Sequence, residues 1–187
     1  GASVISPLTT IMEEGNLSNA QVVAALNLPD VDLMHFNPFT SENAAATNLA
    51  VEVAAHQVST VVRSISTALQ KSGATGADAA DIAADAVADT VATVSIVDFT
   101  SNGFITTAIE KVTSELSSSQ ASSVSAVANE IATAAANVNK AIAASTDLTS
   151  PETIDAFGLI VELTKQIGDA ITNDGDASQI TFADADT

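Results

Sequence analysis

Two pairs of aspartates have the residue type and spacing of a metal site in this 187-residue chain. Asp30 and Asp32 flank a single residue in a proline-containing loop, and Asp174 and Asp176 flank a glycine close to the end of the sequence. Carboxylate oxygens on turns are ligands that Ca²⁺ prefers. Neither pair completes an EF-hand loop, because the ligand pattern breaks after the first pair and the distant glutamate is missing after the second. Each pair therefore predicts either a calcium site or a capped turn.

A second acidic pattern lies in a predicted helix. Its members follow one another at intervals of three and four residues, so their carboxylates share one helix face: Asp78, Asp81, Asp85 and Asp89. Like charges at this spacing repel one another. The face is either a solvated acidic surface or a contact for Ca²⁺ or a basic partner.

No pattern of a catalytic site is found in the sequence. The two histidines, His35 and His56, are too far apart in sequence to place both imidazoles on one helix face. There is no Gly-x-Ser-x-Gly elbow, and the glycine-containing stretch at 73–78 has no lysine for a phosphate-binding loop. We therefore expect no catalytic residue and a protein that is not an enzyme.

Composition narrows the possible partners. The chain has 23 acidic residues, 5 lysines and arginines and no cysteine, for a formal net charge of −18. Nucleic acids and anionic membrane surfaces bind clusters of positive charge, so neither is an expected partner. No apolar stretch approaches the roughly 18 residues of a membrane-spanning helix, so we expect no membrane insertion.

The elements that carry these residues are predicted to be helices. Ser6 and Pro7 begin a short helix over 7–14, and a second follows over 19–27, forming a small helical hairpin. The segment 28–41 contains two prolines and is predicted to be a loop. Its apolar side chains are expected to hold it against the rest of the protein.

Apolar residues at intervals of three and four predict five longer helices, over 42–72, 77–95, 104–117, 120–144 and 151–172. The segment 117–120 is predicted as a turn, and the buried seam of the last helix is predicted to run through Ile154, Phe157, Val161, Thr164, Ile167 and Ile171. The expected fold class is all-α, an antiparallel helical bundle. The expected divisions of this one compact unit are 1–41, 42–172 and an acidic extended tail, 173–187.

Both ends of the chain have an apolar alternation typical of strands. Residues 2–5 and 178–182 are predicted to be extended, with the apolar side chains Val4, Ile5, Ile180 and Phe182. A lone strand leaves its backbone groups without partners, so each end is expected to pair with a neighbouring domain or an identical subunit.

The first third of the sequence resembles a module of large bacterial surface proteins. The segments that carry the resemblance are Val4–Thr10, Ala24–Pro29, Val31–Leu33 and Phe36–Pro38. They are similar to the start of an Ala-rich helical module in adhesin-like, calcium-associated exoproteins, although Asn37 replaces the usual aspartate. The resemblance implies an extracellular or cell-surface location and carries no catalytic residues.

Two functions follow as expectations. The first is a non-enzymatic structural or adhesive module, or an assembly subunit, of a bacterial surface protein. The alternative is a ligand-binding helical module whose apolar cavity is lined by the loop 28–41 and by Phe99, Phe104 and Phe157.

Overall fold

A computed structural model describes residues 4–40, 43–173 and 175–183, without the Ala77 side chain. These residues contain eight α-helices and no strand, which confirms the predicted all-helical class. The helices are α1 Pro7–Glu14, α2 Asn19–Ala25, α3 Ala45–Lys71, α4 Gly76–Ala92, α5 Asn102–Glu115, α6 Ser118–Ser125, α7 Ala128–Ala143 and α8 Pro151–Thr172. Among them, none is both long and apolar enough to cross a membrane.

The two N-terminal helices begin at the residues that the sequence indicates. The Ser6 hydroxyl accepts a hydrogen bond from the Thr9 N–H at 3.2 Å, and the Ser18 hydroxyl accepts one from the Gln21 N–H at 3.3 Å. Such caps satisfy backbone donors that have no partner inside the helix. α2 ends at Ala25, two residues before the predicted end, because the chain turns at Asn27 with a positive φ of 50°.

α3 and α7 organise the core. α3 packs against α1, α4, α7 and α8, and α7 also packs against α5. Nearly every side chain from Ile131 to Asn139 is buried, so α7 is enclosed on all sides. Most side chains of such a helix must be apolar, and the alanines of α7 meet this requirement while leaving room for close neighbours.

The predicted single helix over 120–144 is wrong. The chain forms two helices there, and they are separated at Ala126 and Val127. α6 begins inside the predicted turn because Gln120 Oε1 accepts hydrogen bonds from the Ser117 hydroxyl at 2.6 Å and from the Ser117 N–H at 3.4 Å. The break allows Val124 and Val127 both to be buried.

The predicted seam of α8 is wrong in the first half of the helix and correct at Ile167 and Ile171, and the predicted bounds agree with the structure. In the first half, Thr153, Ala156, Ile160 and Leu163 face the core. The buried face of this half is therefore displaced from the predicted seam by about one residue, or about 100°. Ile154 and Val161 are consequently 59% and 64% exposed.

The predicted strand over 178–182 is wrong. Residues 177–179 and 181–183 form two 3₁₀ turns, and the Asp176 carboxylate caps the first of them. Ile180 is 1% exposed, so it belongs to the core of its own chain. The Asn137 side chain donates to the Phe182 carbonyl at 2.9 Å, which holds this segment against α7.

Candidate functional site

An apolar groove of about 460 Å³ lies between the segment before α1, the loop after α2 and α3. We call it the apolar groove. Its floor is the α3 face that carries Val51, Ala55 and Ser59. The rest of its wall is mainly apolar and comes from Val4, Ile5, Pro7, Leu8, Leu33, Phe36, Pro38 and Phe39. This volume falls within the range of pockets that hold small ligands or the side chains of a partner.

Two large apolar side chains at the groove remain in solvent. Ile5 is 93% exposed and Phe39 is 80% exposed. Leu33 and Phe36, from the same loop as Phe39, are buried and hold that loop against the body of the protein. The exposure of Ile5 and Phe39 is therefore local to the groove.

The backbone before α1 has one bonded side and one open side. The Val4 N–H donates to the Met34 carbonyl at 2.8 Å, and the Ser6 N–H donates to Thr9 Oγ1 at 2.9 Å. Between them, the N–H and C=O of Ile5 form no hydrogen bond with any described residue. Ile5 therefore presents unpaired backbone groups, as the edge of a strand does, and we call them the open edge at Ile5.

Glu52 and His56 supply the ionisable groups of the groove. They lie one turn apart on α3, with Glu52 Oε2 3.6 Å from His56 Nε2. The Glu52 side chain is only 18% exposed, although no described residue gives it a hydrogen bond. A carboxylate in a largely apolar surrounding is poorly solvated, so Glu52 favours a positively charged or hydrogen-bond-donating occupant.

A second depression of about 310 Å³ continues along α3 beyond the apolar groove. Ile5, Pro7 and Ser59 line both of them, and Arg63 lies at the far end. Arg63 is exposed and forms no ion pair with a described residue. The α3 face below the two depressions therefore carries an acid at one end and a base at the other.

Ser59, His56 and Glu52 have the residue types of a nucleophile, a base and an acid on successive turns of one helix. However, Ser59 forms no hydrogen bond with His56 among the described contacts, and the imidazole stacks on Phe157 instead. Nucleophilic catalysis requires a serine in hydrogen-bond reach of its base. This arrangement therefore does not assemble a catalytic serine.

The apolar surface extends from the groove onto α8. The His56 ring, which lines the groove, stacks on Phe157 with 3.7 Å between centroids. Ile154 and Val161 lie one turn before and one turn after Phe157, and both are exposed. We call these three residues the α8 stripe.

The first predicted pair of metal-ligating aspartates lies in the loop after α2. Asp30 and Asp32 lie at a polar depression that Asn37 and Asn43 also line. Asp32 Oδ2 is 2.8 Å from His35 Nδ1, and its Oδ1 accepts from the Met34 N–H at 3.1 Å. The hydrogen bond from His35 is the main cause that lowers the pKa of Asp32 below its ordinary value.

The second predicted aspartate pair is described only in part, because Asp174 lies outside the described residues. Asp176 Oδ1 accepts from the Ser178 hydroxyl at 2.6 Å and from the Ser178 N–H at 3.1 Å, while Oδ2 accepts from Gln179 at 3.2 Å. These bonds lower the pKa of Asp176, with that from the Ser178 side chain as the largest cause. Asp176 thus acts as a turn cap. Within the described ranges, no three acidic or histidine side chains are grouped to hold a metal.

The four aspartates of the acidic face are all exposed along α4. Asp78 accepts a hydrogen bond from the Thr75 hydroxyl, and Asp89 lies 3.5 Å from Lys111 Nζ. Asp81 and Asp85 form neither hydrogen bonds nor ion pairs with described residues. The face is therefore largely solvated.

The loop 28–41 lines the groove as predicted, but none of the three predicted phenylalanines does. Phe99 and Phe104 pack edge to face, with centroids 5.1 Å apart. Phe157 contacts His56, which does line the groove. Glu52 was not predicted, and its position one turn before His56 was the available signal.

A comparison with protein-family models, curated proteins and solved structures finds no match to this chain. The resemblance to modules of bacterial surface proteins therefore remains a hypothesis.

Proposed function

We propose that this protein is a non-enzymatic structural or adhesive module of a bacterial surface protein, and that the apolar groove is where it contacts a neighbouring domain or an identical subunit. One observation carries the proposal: Ile5 and Phe39 stand 93% and 80% exposed at the groove. Clustered exposed apolar side chains mark surfaces that bind other molecules.

The amount of exposed apolar surface favours a macromolecular contact. Full burial of a phenylalanine side chain contributes about 1.5–3 kcal/mol. Enclosing the exposed ring of Phe39 would therefore contribute up to about this much. Its exposed ring, the open edge of Ile5 and the α8 stripe together offer a broad surface.

The remaining parts of the proposal come from the sequence. The long helices are proposed to form an antiparallel bundle, since short connections join consecutive helices. An extracellular location follows from the resemblance of residues 4–38. The net charge of −18 disfavours nucleic acid as a partner.

Hydrogen–deuterium exchange tests the contact. The Ile5 amide should exchange rapidly in dilute protein, because no described residue accepts its proton. It should become protected at high protein concentration, where a second copy can occupy the groove, or when a candidate neighbouring domain is added. Phe39→Asp should abolish this protection, and Ile96→Asp should keep it because Ile96 is 69% exposed away from the groove.

Unchanged exchange of the Ile5 amide in both settings would refute the proposed contact. Equal effects of the two aspartate substitutions would also refute it, because they would show a general response to added charge.

The volume of the apolar groove favours a second candidate, the binding of a small apolar ligand. A fluorescence titration with Nile red, which is neutral, separates the two. Saturable binding to a dilute monomer that is lost in Phe39→Asp would support a small-ligand site. Binding without dependence on Phe39 would exclude the groove.

A further inference from the structure

We propose that the apolar groove binds an extended peptide segment of the partner. In this segment a lysine or arginine and an apolar residue are two positions apart, in either order. This inference rests on the proposed function and specifies the chemistry of the partner. It combines the open backbone edge at Ile5 with the carboxylate of Glu52.

The open edge at Ile5 favours an extended occupant. Its N–H and C=O have no partner among the described residues, while Val4 and Ser6 on either side are bonded inward. A helix has its own backbone groups bonded internally and offers nothing to this edge. An extended peptide supplies a carbonyl and an N–H, which is how peptides add to the edge of a protein strand.

Glu52 favours a positive charge on the occupant. Its side chain is 82% enclosed by the groove wall and its neighbours, and the nearest basic atom is His56 Nε2 at 3.6 Å. A docked peptide would remove the remaining water from this carboxylate, which is unfavourable unless the peptide supplies a donor. An ammonium or guanidinium group meets this need, and the net charge of −18 attracts such a group from solution.

The spacing along α3 sets the length of the segment. Glu52 and Arg63 are eleven positions apart, which is about 16 Å along a helix. About five extended residues span this distance. Because side chains alternate in an extended chain, the first, third and fifth residues share the face toward the groove. One terminal position of this face then lies beside Glu52, the middle position lies over the apolar floor, and the other terminal position lies toward Arg63.

Two synthetic peptides test the inference, because the direction of the bound chain is not fixed. They are acetyl-Lys-Thr-Ile-Thr-Val-amide and acetyl-Val-Thr-Ile-Thr-Lys-amide, and their controls have glutamate in place of lysine. Calorimetry should show at least one lysine peptide binding about tenfold or more tightly than its glutamate control, as expected for a charge-assisted contact.

Protein variants assign the contacts. Glu52→Gln should reduce the preference for lysine to within about twofold, since its charge-assisted contact is lost. Glu115→Gln makes the same change of charge at an exposed site away from the groove and should retain the preference. Ile5→Pro removes the N–H and should weaken binding by about three- to tenfold relative to Ile5→Ala. Circular dichroism checks that each variant keeps its helices.

Exchange of the Ile5 amide gives an independent readout in the wild-type protein. Saturating lysine peptide should protect this amide. Absence of protection, or equal affinity for lysine and glutamate peptides, would overturn the inference. If no peptide binds while Phe39→Asp still abolishes concentration-dependent protection of the Ile5 amide, the partner docks through a preformed surface. The peptide inference then fails and the proposed function stands.

Discussion

The imidazole of His56 lies flat against the ring of Phe157, with ring centroids 3.7 Å apart and planes inclined by 14°. The stack joins α3 to α8 beside the apolar groove. It also fixes the orientation of an imidazole whose Nε2 faces Glu52. The same contact therefore supports the packing of two helices and the arrangement of the ionisable groups in the groove.

Removing this stack should destabilise the protein. Phe157→Ala should lower the free energy of unfolding by about 1–3 kcal/mol, since it removes a half-buried ring and an aromatic contact. Urea unfolding followed by circular dichroism measures the change. Ile154→Ala, one turn away and 59% exposed, should change stability by less than about 0.5 kcal/mol. Equal losses in the two variants would contradict the importance of the stack.

The orientation of α8 is tested by a second pair of substitutions. Leu163 is 0% exposed and Val161 is 64% exposed, although the sequence pattern placed Val161 on the seam. Leu163→Ala should lower the free energy of unfolding by about 2–5 kcal/mol, and Val161→Ala should have an effect below about 0.5 kcal/mol. A larger loss from Val161→Ala would show that the helix faces the core with its other side.

The difference in burial between Leu163 and Val161 shows how far the sequence predicts this fold. Capping residues such as Ser6, Ser18 and Ser150 act locally, so the starts of α1, α2 and α8 follow from the sequence. The buried face of α8 does not follow from the sequence, because apolar residues occur on two adjacent faces of this helix. Which face is buried depends on where α3 and α7 lie, and that is a property of the whole fold.

The errors at Val127 and Ile180 have the same origin. A continuous apolar period across α6 and α7 is also compatible with two helices that bury their side chains on either side of a break. The alternation around Ile180 is compatible with a strand or with 3₁₀ turns, and the Asp176 cap and burial against α7 select the turns. The groove depends on residues far apart in sequence, so only the loop 28–41 was correctly predicted to line a cavity, while Val4 and Ile5 were predicted as an assembly end.

Acid titration should reveal the Asp176 cap. Hydrogen bonds lower the pKa of Asp176 in the folded protein, so its contribution to stability is present above the ordinary value of 3.8 and is lost as the pH falls through the folded pKa. Asp176→Asn should therefore be less stable than the wild type near neutral pH, and the difference should shrink below about pH 4.

Asp85→Asn is the control for the acid titration. It also removes one negative charge, but Asp85 forms no bond with a described residue and lies four positions from Asp81 and Asp89. Relief of that repulsion should leave the variant as stable as the wild type or slightly more stable at neutral pH. If Asp176→Asn behaves in the same way, Asp176 is not a stabilising cap.

Calcium should raise the melting temperature through the depression that Asp30, Asp32, Asn37 and Asn43 line. A cation there must displace His35 from Asp32, so we expect weak binding, with a dissociation constant of about 10⁻⁴–10⁻³ M. Selective binding to the folded state at a hundredfold excess over this constant would contribute about 2.7 kcal/mol. Melting in calcium and in chelator at matched ionic strength measures the effect, and the matching is essential because salt also screens the charge of −18.

Asp30→Asn combined with Asp32→Asn should remove the calcium-dependent rise, and Asp81→Asn combined with Asp85→Asn should preserve it. Equal melting in calcium and chelator would refute the calcium site, and loss of the rise only in the second pair would assign it to the acidic face of α4.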